Sequence, residues 1–218
     1  METTYTNRLY PAVAASLEAA RQGFNITQSP RQAGLERLAA FLKDRQANDL
    51  PIKVIVICTH NSRRSHLGQF WLTAAASRAV VALEAFSGGT EATACQPNTL
   101  AALERAGARV EKMSEGANPH YQLRYGQAET DMLEVFSKVY SHKANPQADF
   151  VALMVCSEAD QGCPWVEGAV GRYSLPYRDP KYADGTPDEA AAYDEASRTI
   201  ASEMAWLIDQ LQTTTQQA

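Results

Sequence analysis

The sequence predicts an α/β fold in which a parallel β-sheet is flanked by helices. Two predominantly apolar segments, 52–58 and 148–155, have the length and composition of buried strands. Segments with helical periodicity lie between and after them, as expected for parallel strands joined by helices. The two strands lead into cysteines, Cys58 and Cys156. Because the carboxyl ends of parallel strands meet at one edge of a sheet, we expect these cysteines to face the same crevice.

Composition narrows the class of protein. The 218-residue chain has a net charge of −5 and no block rich in Lys or Arg, so nucleic acid is not an expected partner. No apolar stretch approaches the roughly 20 residues of a membrane span, and the amino terminus lacks the layout of a signal peptide. We therefore expect no membrane association and a cytoplasmic location. Four cysteines are too few for a secreted disulfide scaffold, which favours reduced thiols or transient redox chemistry.

Residues 1–50 are predicted to form a helical extension that precedes the main domain. Helices are predicted over 11–21 and 30–46, the second beginning after Ser29 and Pro30, a suitable cap and first-turn residue. The extension contains no histidine and no cysteine. Its predicted role is to cover apolar surface, either of the main domain or of a partner subunit, as in a homodimer.

Residues 51–212 are predicted to form the main domain, and residues 213–218 a flexible tail. After the first strand, helical periodicity predicts helices over 65–78, 98–106 and 188–211. A short strand is predicted over 83–86, followed by a loop of Ser87, Gly88 and Gly89. Alternation around residues 116–119 predicts a β-hairpin insertion.

The segment after Cys58 has the composition of an anion-binding loop. It joins a buried strand to a helix, so successive backbone N–H groups and the positive end of the helix can converge on one tetrahedral oxyanion. The Arg64 guanidinium can grip two oxygens of that anion. The same positive field favours the thiolate of Cys58 and makes it a candidate nucleophile. The alternative is a buried cysteine that ends a core strand. The loop residues are Thr59, His60, Asn61, Ser62, Arg63, Arg64 and Ser65.

These residues resemble a known family. The segment CTHNSRRS is similar to the phosphate loop of the low-molecular-weight protein tyrosine phosphatase superfamily, C-x-G-N-x-C-R-S, and the match continues through FSGGTEA and PNTLAALERAG to Asp179 and Pro180. Within that superfamily, CSEADQGCP at residues 156–164 resembles the redox segment of the thioredoxin-coupled arsenate reductases. The resemblance covers residues 52–211 and implies a flavodoxin-like fold.

The resemblance also implies roles for single residues. Cys58 is the nucleophile, Arg64 binds the oxyanion and Asp179 is the general acid, while Cys156 and Cys163 form the redox pair. From their positions, Asn61 is expected to hold the shape of the loop by hydrogen bonds and Ser65 to donate to the Cys58 thiolate, or either residue simply caps the helix. Ser87 is expected to support the loop, as the matching serine of the family does. Asp179 could be only a turn residue, and the cysteine pair could be small apolar residues beside a turn. The polar segment between the cysteines, which contains Gly162, is expected to be mobile.

Three positions depart from the family pattern. His60 replaces the loop glycine and Arg63 replaces the second loop cysteine, so the loop is bulkier and more cationic. Arg63 is expected at the pocket mouth. Gln69 replaces an acidic residue that many arsenate reductases use near a potassium site, and the four histidines show no metal-ligand spacing. We therefore expect no metal and no other resident cofactor.

Three functions are compatible with these residues. The first is arsenate reduction coupled to thioredoxin, with a role in arsenical resistance and arsenate or a phosphate-type oxyanion as ligand. The second is hydrolysis of phosphotyrosine by a tyrosine phosphatase, in which the cysteine pair takes no part. The third is a non-enzymatic oxyanion or redox sensor that uses the extension to meet a partner.

Overall fold

The structure is a computed structural model that describes residues 8–163 and 165–212. The predicted flexible tail, 213–218, lies outside these residues. The helices are α1 (Pro11–Gln22), α2 (Gln32–Ala47), α3 (Arg64–Ala79), α4 (Pro97–Arg105), α5 (Ser157–Gly162) and α6 (Glu189–Gln212). The strands are β1 (Ile52–Cys58), β2 (Leu83–Gly89), β3 (Arg109–Lys112), β4 (Tyr121–Arg124), β5 (Met132–Val135), β6 (Phe150–Met154) and β7 (Ala169–Ser174).

The central sheet is parallel, with the strand order β2-β1-β6-β7. Strands β1 and β6 lie at its centre and are rich in β-branched and other apolar side chains, which accounts for their near-complete burial. Helices pack around the sheet, among them α3 against β1 and β2. The predicted α/β class and the parallel arrangement are confirmed. The carboxyl ends of β1 and β6 are neighbours, so Cys58 and Cys156 leave the same edge of the sheet.

Strand β2 is longer than predicted. The expected loop at Ser87, Gly88 and Gly89 is wrong, because these residues continue the strand and pair with residues 56–58 of β1. Their glycines are required by close packing. A Cβ atom on Gly88 would lie 2.5 Å from the Cα atom of Tyr140, so only glycine fits there without displacement. The glycines thus mark a close backbone approach within a strand.

Two strands were not predicted. Strand β7 lies at the sheet edge beside β6, and its half-buried sequence, AVGRYS, contains a glycine and an arginine that obscure the strand pattern. The predicted hairpin is present as the antiparallel pair β3 and β4, and β5 extends it to three strands in the order β3-β4-β5.

The amino-terminal helices pack onto the main sheet domain. Helices α1 and α2 both contact α6, and α2 also contacts β7. Apolar side chains of α1 and α2, including Leu17 and Leu38, belong to the same continuous core as the central strands. The boundary near residue 50 and the homodimer stay predictions. Within residues 8–163 and 165–212, no helix is both long enough and apolar enough to cross a membrane.

Candidate active site

Strand β1 places Cys58 at the edge of the sheet, where its side chain is 4% exposed. Its Sγ atom lies 3.1 Å from Ser65 Oγ. The Asn61 amide donates to the same Ser65 oxygen over 2.8 Å. The hydroxyl proton of Ser65 is therefore available to Cys58, because the hydroxyl oxygen already accepts from Asn61. Asn61 has a φ of 45°, a left-handed conformation that Asn tolerates better than most residues.

The carbonyl oxygens along this segment are bound by neighbouring segments of the chain. Thr90 N donates to Cys58 O over 3.1 Å, and Glu91 N donates to Thr59 O over 2.8 Å. The Ser137 hydroxyl donates to His60 O over 2.8 Å, and Gln96 N donates to Ser62 O over 3.0 Å. The backbone N–H groups of residues 59–65, by contrast, donate to no acceptor in the described part of the chain. A loop with bound carbonyls and free amides at the start of a helix is suited to an anion.

Arg64 begins α3 and is 7% exposed. Its guanidinium donates to Tyr177 O over 2.9 Å and to Asp179 Oδ2 over 2.6 Å. Its Nε atom is buried and has no hydrogen-bond partner among the described residues. An unpaired donor on a buried cation costs free energy, and a bound oxyanion would satisfy it.

Asp179 stands at the start of a short 3-10 helix, Pro180–Ala183. One carboxylate oxygen accepts from Lys181 N over 3.0 Å and caps that helix, while the other pairs with Arg64. The side chain is 32% exposed. The structure thus gives Asp179 the turn role and also places it beside Arg64.

Arg63 is held by the segment after Asp179 and by α6. Its Nε atom donates to the Tyr193 hydroxyl over 2.9 Å, and its guanidinium lies 3.5 Å from Asp184. The Tyr193 hydroxyl in turn donates to Asp184 over 2.9 Å. Asp179 is 3.9 Å away, so Arg63 also lies near Asp179, while its shorter contacts are with Tyr193 and Asp184.

Cys156 is fully buried at the end of β6 and caps α5. Its Sγ atom accepts from Ala159 N over 3.4 Å and lies 3.4 Å from the hydroxyl of Thr59, the residue after Cys58. Cys163 follows the last residue of α5 and is partly exposed. All four cysteines are free. The residues between Cys156 and Cys163 form a helix whose first turn is capped by the Cys156 side chain, and the mobility expected of this segment stays a prediction.

Neither a family model nor a curated protein matches the chain. The low-molecular-weight protein tyrosine phosphatase from Bacillus subtilis superposes on it with a TM-score of 0.52 and 16% identity, covering 76% of this chain and 100% of that one. The chain has the low-molecular-weight phosphatase fold. A phosphatase of the same kind from T. tengcongensis gives a TM-score of 0.47 at 17% identity, covering 75% of this chain and 99% of its own. An arsenate reductase in the phosphate binding state gives 0.44 at 16%, covering 75% and 98%.

Other residues that support the loop of this phosphatase fold carry no sequence signal. Ser137 binds His60, and the Lys138 backbone amide donates to the Asn61 side chain over 2.9 Å. Burial lowers the pKa of the Lys138 ammonium to about 8. Both residues follow β5, and each lies 77 residues along the chain from the loop residue that it contacts. Such long-range contacts depend on the complete fold of the chain.

Ser87 forms a hydrogen bond with His66, the residue that follows the loop. Its hydroxyl lies 3.2 Å from His66 Nδ1, and the His66 ring is fully buried in the first turn of α3. Burial, followed by the charge of Lys138, lowers the pKa of His66 to about 3. His66 is therefore neutral in this phosphatase fold near neutral pH. Burial raises the pKa of the Cys95 thiol, which keeps it protonated and unreactive.

The His60 side chain, also in the loop, is exposed and lies 3.8 Å from Glu91. Within residues 8–163 and 165–212, no three His, Cys, Asp or Glu side chains are grouped so that they could hold a metal ion.

Proposed function

We propose that the protein is an arsenate reductase that passes electrons through Cys58, Cys156 and Cys163 and is recycled by thioredoxin. One observation carries the proposal. A second buried thiol, Cys156, contacts the residue that follows Cys58, at the shared edge of two neighbouring strands. Phosphoester hydrolysis needs no such thiol. We place the protein in the cytoplasm, where a thioredoxin-dependent relay finds its reductant.

In the first step, arsenate binds to the amides of residues 59–65 and to the Arg64 guanidinium. The Cys58 thiolate attacks arsenic. Asp179, whose carboxylate must first leave Arg64 and take up a proton from solvent, donates that proton to the oxygen that leaves as water. The product is a thiol–arsenate ester on Cys58. The Ser65 hydroxyl, 3.1 Å from Sγ, stabilises the thiolate before the attack.

In the second step, the Cys156 thiolate attacks the Cys58 sulfur. The sulfur–arsenic bond breaks, its electron pair passes to arsenic, and arsenite leaves. Arsenic is reduced by two electrons, and the two thiols are oxidised to a Cys58–Cys156 disulfide. Cys163 then attacks the Cys156 sulfur, which releases Cys58 as a thiolate and forms a Cys156–Cys163 disulfide. The dithiol of thioredoxin reduces this last bond.

The relay requires helix α5 to unwind. Cys156 and Cys163 flank its two ends, and a helix rises about 1.5 Å per residue, so their Cα atoms are about 10 Å apart along the axis. A disulfide needs Cα atoms within roughly 7 Å. Formation of the Cys156–Cys163 bond must therefore break the backbone hydrogen bonds of α5. The helix has only six residues, so the cost is small.

A tyrosine phosphatase is the second candidate. It is favoured by the contact of Asp179 with Arg64, because an acid beside the oxyanion could first protonate a leaving phenoxide and then activate water against a phosphocysteine. Cys58, Arg64 and Asp179 suffice for that reaction, and Cys156 and Cys163 would take no part.

The decisive experiment compares Cys163→Ser with the wild type in two assays on the same preparations. With thioredoxin as sole reductant, we expect the variant to release a single arsenite per chain and to accumulate a Cys58–Cys156 disulfide, because no thiol resolves it. Cys156→Ser should block even that turnover. Peptide mapping of disulfides and quantitation of arsenite provide the readouts, and Cys95→Ser is the matched control.

Aryl-phosphate hydrolysis under reducing conditions is measured beside these assays. Any such activity should survive in both cysteine variants, because it uses neither thiol. Repeated arsenate turnover by Cys163→Ser would show that the relay is wrong. A wild type that releases no arsenite but hydrolyses aryl phosphates would establish the second candidate instead.

A further inference from the structure

We propose that Arg31, in the amino-terminal extension, is a positioning residue that fixes the acid segment, defined as residues 175–184, against the active site. The inference rests on the proposed function only in taking Cys58, Arg64 and Asp179 as the reacting groups. It applies equally to arsenate reduction and to phosphoester hydrolysis. The extension is then part of the catalytic apparatus, in addition to covering apolar surface.

Arg31, which is partly exposed, forms an ion pair with a buried carboxylate of α6. Its Nε atom lies 2.9 Å and 3.0 Å from the two carboxylate oxygens of Glu203, and a second guanidinium nitrogen lies 2.9 Å from one of them. Glu203 is 1% exposed. Ser29, also in the extension, donates to the same carboxylate over 2.8 Å. The extension therefore supplies the charge that compensates a carboxylate withdrawn from water.

Both members of this ion pair also form hydrogen bonds with the acid segment. The Tyr177 hydroxyl donates to Glu203 over 2.7 Å, and Arg31 donates to Pro176 O over 3.2 Å. The Arg31 guanidinium also stacks over the Tyr177 ring, 4.5 Å from its centroid. Burial, followed by the Glu203 charge, raises the pKa of Tyr177, so the hydroxyl stays protonated and keeps donating.

Tyr177 in turn contacts the reacting groups. Its carbonyl oxygen accepts from Arg64 over 2.9 Å, and two residues later Asp179 pairs with the same guanidinium over 2.6 Å. A continuous chain of polar contacts thus runs from Arg31 through Glu203 and Tyr177 to Arg64. The far end of the acid segment is held separately, by the bond from Tyr193 to Asp184.

The geometry explains why arginine occupies position 31. Its planar fork contacts both oxygens of Glu203 while another N–H reaches the Pro176 carbonyl, a combination that the single ammonium of lysine does not reproduce. Loss of either contact loosens the acid segment on the side opposite to Tyr193, where the backbone bonds from Leu175 N to Met154 O and from Tyr177 N to Val155 O remain. Small displacements of a catalytic acid lower the rate of the chemical step while leaving binding of the oxyanion to the loop amides intact.

The test uses Tyr177→Phe and Arg31→Lys in the full chain. Tyr177→Phe removes only the hydroxyl link and leaves the ion pair of the extension in place, whereas Arg31→Ala would strand a buried carboxylate and risk unfolding. We expect each variant to lower kcat about tenfold while KM changes less than about twofold. The rate of single-turnover arsenite formation should fall in the same proportion. Arg198→Ala, which removes an exposed arginine of α6, is the matched control.

A comparison of two aryl phosphates with different leaving groups tests the position of the acid more specifically. Hydrolysis of phenyl phosphate depends on protonation of the leaving oxygen more than hydrolysis of p-nitrophenyl phosphate does, so the variants should lose more activity on phenyl phosphate. A structural readout that needs no turnover is amide hydrogen exchange, which should become faster over residues 175–184 in both variants and not in Arg198→Ala.

Active variants with wild-type kcat and unchanged exchange would overturn the inference. A fall in kcat accompanied by an equally large rise in KM would also refute the inference, since that pattern indicates a damaged oxyanion site. A wild type without activity toward arsenate or aryl phosphates would refute the proposed function instead. In that case faster exchange in the variants would still establish that Arg31 braces the segment, and unchanged exchange would reject it.

Discussion

His66 should make the stability of the protein depend on pH in a defined direction. The ring is 1% exposed, its Nε2 atom is buried without a partner among the described residues, and its pKa is lowered from 6.5 to about 3 by burial and then by Lys138. Below pH 6.5 the unfolded chain takes up a proton at this histidine, while the folded protein takes it up only near pH 3. Acidification between these values therefore favours the unfolded state.

The magnitude follows from the difference of one proton. The slope is about 1.4 kcal/mol per pH unit, so about 2.7 kcal/mol of unfolding free energy is lost over two units below the unfolded-state pKa. This is a large part of the roughly 5–15 kcal/mol that stabilises a typical domain. The contribution is fully present above the unfolded-state pKa of 6.5 and declines as the pH falls toward about 3.

The assay is urea unfolding of the wild type and of His66→Gln between about pH 7.5 and about pH 4.5. Glutamine does not titrate in this range, so the variant should lose less unfolding free energy on acidification than the wild type does. The difference should reach about 2.7 kcal/mol at two units below the unfolded-state pKa. His60→Gln, at an exposed site, is the control and should follow the wild type. Parallel curves for the wild type and His66→Gln would show that the buried ring is not responsible.

Three further variants test the loop. Cys58→Ser should abolish both arsenite release and aryl-phosphate hydrolysis while phosphate binding by calorimetry persists, because an alcohol is not ionised at neutral pH; more than a few per cent residual activity would reject the nucleophile. Arg63→Ala should destabilise the protein by about 1.5–3 kcal/mol, because the hydrogen bond to Tyr193 is lost. The affinity for oxyanions and its dependence on salt should change little. A steep loss of affinity at low salt would place the guanidinium in the pocket instead. Gly89→Ala should weaken phosphate binding and lower the free energy of unfolding by about 1–3 kcal/mol, because its Cβ atom would lie 2.6 Å from Thr59 O and 2.8 Å from Asn61 N. Gly23→Ala is the control and should be tolerated, because the nearest atom to its Cβ lies at 3.6 Å. Equal behaviour of the two variants would contradict this packing argument.

Local signals in the sequence were sufficient for the sheet core and the loop. Strand β1 is rich in β-branched residues, and α6 keeps a largely regular apolar period that matches its buried face. The loop from Cys58 to Ser65 could be located because an anion site places its donors close together in sequence. These features depend on residues that are near neighbours in the chain.

The remaining features depend on distant contacts or on competing local preferences. The ion pair of Arg31 with Glu203 joins residues 172 positions apart, and nothing near either residue indicates it. Helix α5 was missed because its polar, glycine-containing sequence favours a loop, whereas the capping thiol of Cys156 stabilises its first turn. The roles of Cys58, Arg64, Asp179, Cys156 and Cys163 stay predictions until the variants are measured.

The bound carbonyls of the loop determine where selectivity can arise. Since neighbouring segments already hold the loop backbone, little conformational entropy is lost when an oxyanion enters, and closure of the loop itself contributes little to rejecting the wrong anion. Arsenate and phosphate carry similar charge on similar tetrahedra, so phosphate should compete for the site. In the proposed reaction, discrimination then follows binding, because arsenic accepts the electron pair released when Cys156 attacks, whereas phosphorus in a thiol–phosphate does not.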